Sequence, residues 1–194
     1  MKGYLTELLL VVFFVALSLI SPFYFLQRKG QIARYTKQVL GSETENKKLG
    51  EPRYLRIPKI NVDAYVEEVA LTSKGEMDVP KNAFNIGWFN LGPRPGEVGS
   101  SVMSGHLDGE DGKAGVFFNL YKLKVGDKLY VEDDKGITAT FMVRESRIYD
   151  SGYAEEVFSS NNGSYLNLIT CDGVWDGVKK SFSKRLVVFA DITN

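Results

Sequence analysis

The chain has one cysteine, one histidine and no excess of either charge: Lys+Arg 24 against Asp+Glu 24 in 194 residues. Each scarcity excludes something. A lone cysteine, Cys171, cannot close an internal disulfide, and one cysteine with one histidine, His106, cannot make a usual zinc site. A formal net charge of zero argues against a polyanion-binding surface, so nucleic acid is a poor partner. Helical patterning is thin, and no internal repeat is found. What is abundant points elsewhere. Nineteen glycines, with many Val, Ile, Tyr and Phe, favour a turn-rich β domain over a helical bundle.

The long apolar run is confined to the start. "LTELLLVVFFVALSLISPFYFL", Leu5 to Leu26, carries one charge, Glu7. About 20 apolar residues at about 1.5 Å rise suffice to cross a bilayer core. Pro22 sits near the far end, where a kink costs little, and Tyr24 suits an interface. A cleaved signal peptide has a shorter apolar region and a small-x-small site, which is not evident here. Residues 1–26 are therefore expected to be an uncleaved membrane anchor. Residues 27–52 are polar and charged and read as a tether. Lys2 precedes the span and Arg28, Lys29, Arg34 and Lys37 follow it, so flanking charge taken literally keeps the rest cytoplasmic. Long domains can be translocated despite such charge, which leaves orientation open on this ground alone.

Residues 53–194 read as mainly β. "RYLRIPKINVDAYVEEVAL" holds β-branched runs broken by Pro58 and Asn61-Val62-Asp63. "DKLYVEDDKGITATFMVRESRIYD" is the clearest hairpin, two β-rich arms around Asp133-Asp134-Lys135-Gly136. "YLNLITC" and "RLVVFADI" are further strands; "AEEVFSS" and "GVFFNLYKL" are the short helical segments. Many short strands at turn-punctuated spacing predict a closed barrel or sandwich.

His106 and Cys171 both fall where an apolar strand meets a Gly/Asp turn, and Arg185 opens the last strand 14 residues (185 − 171) after the cysteine. Strand ends and their loops display chemistry rather than packing. An imidazole can take a thiol proton and later return one to a leaving amine. An arginine stays protonated, so it serves as an oxyanion or carbonyl holder and not as a base. Taken singly, these residues have blander readings: a small buried apolar cysteine, a satisfied polar histidine, a solvated arginine. An orienting partner for the histidine is open among Asp108, Asp172 and Asp176, and Arg94 competes with Arg185.

Three segments carry a resemblance to a known family: "RIPKINVDAYV", "GWFNLGPRPGEVGSSVMSGHLDGEDGKAGVFFNLYKLKVGDKLYV" and "LNLITCDG…KRLVVFADI". The chain resembles the sortases, membrane-anchored cysteine transpeptidases of Gram-positive-type bacteria, over about residues 53 to 194. The resemblance implies a sortase-type closed β-barrel with short helices, preceded by one transmembrane helix. It implies catalytic roles for His106, Cys171 and Arg185, with Ser104 and Thr170 lining the substrate pocket. The family's Thr-Leu-x-Thr-Cys signature stands here as Asn167-Leu168-Ile169-Thr170-Cys171, with its first threonine replaced. The long loop with Trp175 and Asp176 looks more like the class E or F branches. No second apolar span follows, unlike the pilus-polymerising branch.

The implied reaction is acyl transfer: Cys171 cleaves an LPXTG-like signal of a secreted protein between Thr and Gly through a thioester, which a peptidoglycan-precursor amine resolves. No cofactor is implied, and the Asp108, Glu110, Asp111 run is read as a solvated acidic loop with no metal. A catalytic domain outside the cell, on a single-pass anchor, follows from such substrates. Two other classes remain: a surface cysteine peptidase that only hydrolyses the signal, and a non-enzymatic tethered binding barrel.

Overall fold

Val62, Ala64 and Val66 are buried while Asp63 and Tyr65 face out, the period of two that a half-buried strand requires. The same alternation recurs along the chain and closes a barrel. The computed structural model describes residues 49–109, 112–152, 155–160 and 162–193. The expected membrane span and most of the tether lie outside these residues. Among the described residues no helix is long and apolar enough to cross a membrane.

Eight strands follow in chain order: β1 (Pro52–Ile57), β2 (Val62–Val69), β3 (Ile86–Phe89), β4 (Gly99–Gly105), β5 (Lys128–Asp133), β6 (Thr138–Asp150), β7 (Ser164–Asp176) and β8 (Ser181–Ile192). They pair in the closed order β1-β2-β3-β4-β7-β8-β6-β5. The β2–β3 and β4–β7 pairs are parallel; the others, including the closing β1–β5 pair, are antiparallel. Among the described residues helix is confined to α1 (Glu155–Phe158) and two 3-10 turns, Pro58–Ile60 and Leu120–Lys122. Pro58 sits at the start of its turn, where a missing N–H costs nothing, and Asn61 closes it in the left-handed region at φ 55°. The expected hairpin is β5–β6: Gly136 N donates to the Asp133 carbonyl at 3.1 Å.

Two apolar layers result. Inward residues such as Leu55, Met103, Phe117, Phe141, Leu166, Leu168 and Val188 fill the barrel. A second cluster lies on the outer wall, where Val102 of β4 and Val187 and Phe189 of β8 meet Val157 of α1, with Ile169 of β7 packed against them. This outer layer is why β4 is buried along its whole length, and it marks the wall on which the site lies.

Candidate active site

β4, β7 and β8 are neighbours, and alternation decides which of their residues share a face. On β7, Leu166 and Leu168 point into the barrel, so Ile169 and Cys171 point out. On β8, Leu186 and Val188 point in, so Val187 and Arg185 point out. Cys171 and Arg185 are direct cross-strand partners. The parallel β4–β7 register runs to Ser104 opposite Ile169, and two further steps bring His106 level with Cys171. Thiol and guanidinium thus stand on one wall, and the imidazole belongs to the residue just past the end of β4, the strand on the other side of the cysteine strand.

His106 lies one residue past β4, and two glycines let the chain close around it. A Cβ on Gly105 would lie 2.4 Å from the Phe117 ring, and one on Gly115 would lie 2.4 Å from the His106 carbonyl oxygen. Phe117 N donates to that carbonyl at 3.0 Å, rooting the loop. The ring is oriented by neither Asp172 nor Asp176. Its Nε2 is 2.8 Å from the carbonyl oxygen of Pro80, in the β2–β3 connection. A carbonyl only accepts, so Nε2 carries the hydrogen and Nδ1 is the nitrogen left to exchange a proton. Lys81 N donates to Glu67 Oε1 at 3.1 Å and Val116 N to the Ala83 carbonyl at 2.9 Å, which holds that connection in place. Asp176 Oδ1 accepts instead from Val178 N and Lys179 N in its own turn.

Arg185 folds onto the start of its own strand. Nη1 donates to the Phe182 and Lys184 carbonyls at 2.9 and 2.8 Å, and Nη2 to Ser181 Oγ at 3.2 Å. Nε–H and one Nη2–H of its fork have no partner among the described residues. Arg94 is elsewhere, in the β3–β4 connection, 3.9 Å from Glu51. Burial pushes the Cys171 thiol above its ordinary range; Arg185 pulls it back and Asp108 adds to the rise.

Ser104 and Thr170 are buried, and their hydroxyls face main chain. Thr170 Oγ1 donates to the Gly105 carbonyl at 2.9 Å, tying β7 to the residue before His106. Ser104 Oγ makes long contacts, 3.4 and 3.5 Å, with the Gly87 and Asp78 carbonyls. Asn167, where the signature threonine is replaced, donates from Nδ2 to the Val157 carbonyl at 2.6 Å and so anchors α1. Beyond the site the β7–β8 hairpin continues to Asp176 and Ser181, with Trp175 and Phe182 edge-to-face at 5.2 Å. Pro80 had no signal in the sequence, because a main-chain carbonyl is the same in every residue. Among the described residues no group of three or more His, Cys, Asp or Glu could hold a metal ion, and Glu110 and Asp111 lie outside them.

Side chains fill the barrel interior, and the thiol and the guanidinium stand together on its wall, an arrangement that suits a β-barrel enzyme working through a cysteine. The sortase domain model matches residues 55–193, and the chain belongs to the sortase family, the cysteine transpeptidases. Solved structures similar to it include sortase C-1 from Actinomyces oris, at 22% identity and TM-score 0.59, covering 73% of each chain. Sortase A from Corynebacterium diphtheriae is similar at 20% identity and TM-score 0.59, over 76% of this chain and 62% of that one. Sortase C from Clostridium perfringens SM101 is similar at 23% identity and TM-score 0.55, over 75% and 72%. No curated protein sequence matches the chain.

Proposed function

We propose that this sortase cleaves an LPXTG-like sorting signal between Thr and Gly and joins the released carbonyl to a cell-wall amine. The supporting observation is the cross-strand pair Cys171–Arg185 with His106 level beside it. Nδ1 of His106 takes the Cys171 proton, and the thiolate adds to the threonine carbonyl carbon. The open N–H groups of Arg185 hold the oxyanion. The C–N bond breaks as His106 returns its proton to the leaving glycine amine, and a thioester remains on Cys171. An incoming amine then gives its proton to His106 and attacks; the C–S bond breaks and the thiolate is reprotonated. One amide replaces another, so no external energy source is needed.

Ser104 and Thr170 contribute to the pocket through its walls, since their hydroxyls are engaged with main-chain carbonyls. The extended hairpin carrying Trp175 fits the class E or F branches. Substrates of this kind are met outside the membrane, so the chain is anchored by residues 1–26 with its barrel extracellular, against the flanking charge. The test is mass spectrometry of the full-length protein with a panel of LPXTG-like peptides, with and without an added amine. An acyl adduct on Cys171 that amine converts to a new amide is expected. No adduct overturns the reading, and a product that amine never changes leaves a hydrolase.

A further inference from the structure

Two stretches after His106, Leu107–Gly109 and Lys113–Gly115, are locked together. Gly115 N donates to the Leu107 carbonyl at 2.9 Å and Gly109 N to the Lys113 carbonyl at 2.8 Å, and Asp108 is bridged to Ala114. Asp108 is therefore held at a set distance from His106 while its side chain stays exposed. Asp150 is paired with Lys184 at 2.6 Å, Glu156 with Arg147 at 2.8 Å, and Asp176 caps its turn; Asp172, on the cysteine strand itself, also makes no such pair, but it does not stand on the His106 side. Among the described residues no hydrogen bond or ion pair engages the Asp108 carboxylate.

Position narrows what such a carboxylate can do. Arg185 flanks Cys171 from β8, whereas His106 and Asp108 flank it from the β4 side. The acyl carbonyl belongs with the cation. The second substrate must arrive where His106 can take its proton, which is the Asp108 side. A carboxylate there opposes the thiolate of the first half-reaction, as its effect on Cys171 shows. Its charge suits only a positively charged visitor.

We propose that Asp108 is a specificity residue for the second substrate: it holds a primary ammonium beside the Cys171 thioester and so favours cationic amines over water and over neutral nucleophiles. This rests on the transpeptidase reading above. The ammonium docks at the carboxylate, His106 removes one proton from nitrogen and passes it to solvent, and the freed lone pair attacks the thioester carbon; the C–S bond breaks and the second nitrogen proton goes through His106 to the Cys171 thiolate. Water carries no charge and gains nothing from Asp108. An exposed ion pair of this kind amounts to up to about fivefold in affinity and is weakened by salt.

The test uses the full-length protein in detergent, acylated by a peptide that forms the Cys171 adduct, with two nucleophiles. Nα-acetyl-lysine amide is cationic near neutral pH; hydroxylamine is uncharged there. Asp108→Asn is expected to raise KM for the lysine amine about fivefold, with hydroxylamine little affected, and Asp108→Glu to restore part of the loss. In wild type, added salt should reproduce the effect on the lysine amine. Equal changes for both nucleophiles, or none for the lysine amine, overturn the role of Asp108 while leaving the transpeptidase standing. Absence of any wild-type adduct overturns both.

Discussion

Nε2 of His106 lies 2.8 Å from the carbonyl oxygen of Pro80, 26 residues earlier in the chain. A backbone acceptor thus does for this imidazole what a side-chain amide or carboxylate does in other thiol enzymes. It cannot titrate, so the ring's orientation does not depend on the protonation of a neighbour.

This makes the tautomer a testable quantity. The chain has one histidine, so a 15N spectrum of labelled protein contains a single imidazole. Neutral His106 is expected to carry its hydrogen on Nε2, with Nδ1 as the nitrogen that gains a proton on acidification. A hydrogen on Nδ1 in the neutral ring would remove the Pro80 contact from the mechanism.

Cys171 should be a slow thiol at rest. Burial pushes it up, Arg185 opposes this and Asp108 reinforces it. Alkylation by iodoacetamide is therefore expected to rise with pH to a midpoint above that of a free cysteine. Arg185→Gln removes the favourable cation, so it should move the midpoint higher still and slow alkylation near neutral pH roughly two- to tenfold. An Arg185→Gln protein that alkylates as fast as wild type would separate guanidinium from sulfur.

Asn167 ties the sheet to α1. Its side chain is 1% exposed, and its Nδ2–H group is the partner of the Val157 carbonyl. Asn167→Ala leaves that carbonyl unpaired and should cost about 1–3 kcal/mol. Calorimetry should show a Tm lower by several degrees. Since Val157 and Phe158 pack on the wall that leads to Cys171, KM for the signal peptide should rise more than kcat falls. An unaltered Tm would mean that α1 is held by its apolar contacts and by Glu156 alone.

Asp133 carries a pH-dependent part of the stability. Its carboxylate is 3% exposed and accepts from Gly50 N at 2.7 Å, Ile137 N at 2.7 Å and Lys135 N at 2.9 Å. Burial pushes this carboxyl up, but the three N–H groups outweigh burial and hold it below the ordinary carboxylate range. A folded pKa below the unfolded one means stability that is present above the unfolded value and lost as pH falls through the folded one. Asp133→Asn is expected to cost about 2–3 kcal/mol at neutral pH by urea unfolding, and the gap to wild type should narrow below about pH 4. A gap that stays constant into acid would show that the charge is immaterial.

Much of this architecture was legible in the chain because it is local. β-Branched runs marked the strands on either side of Pro58, although Val62 and Asp63, read as part of a break, belong to β2, and Asp133-Asp134-Lys135-Gly136 marked the β5–β6 hairpin. "AEEVFSS" contains α1, while in "GVFFNLYKL" only Leu120–Lys122 is helical, as a 3-10 element after a turn. The loop there is drawn in by the Phe117 side chain, which the missing Cβ of Gly105 admits. Cys171 and Arg185 could be linked from sequence because one hairpin separates them. The acid that orients the histidine could not be chosen, and the structure uses none of the three: Pro80 takes that place.

Cys171 and Arg185, expected at strand ends, stand inside β7 and β8, but composition and turn spacing did determine that this chain is mainly β, a closed barrel or a sandwich, and that it has no internal disulfide. Those are properties of neighbours along the chain. Tertiary structure alone decided that β4 runs parallel to β7, bringing His106 level with a cysteine 65 residues away, and that a β2–β3 carbonyl faces its ring. Parallel pairing and backbone acceptors depend on how distant segments close the barrel, and no residue type encodes that closure by itself.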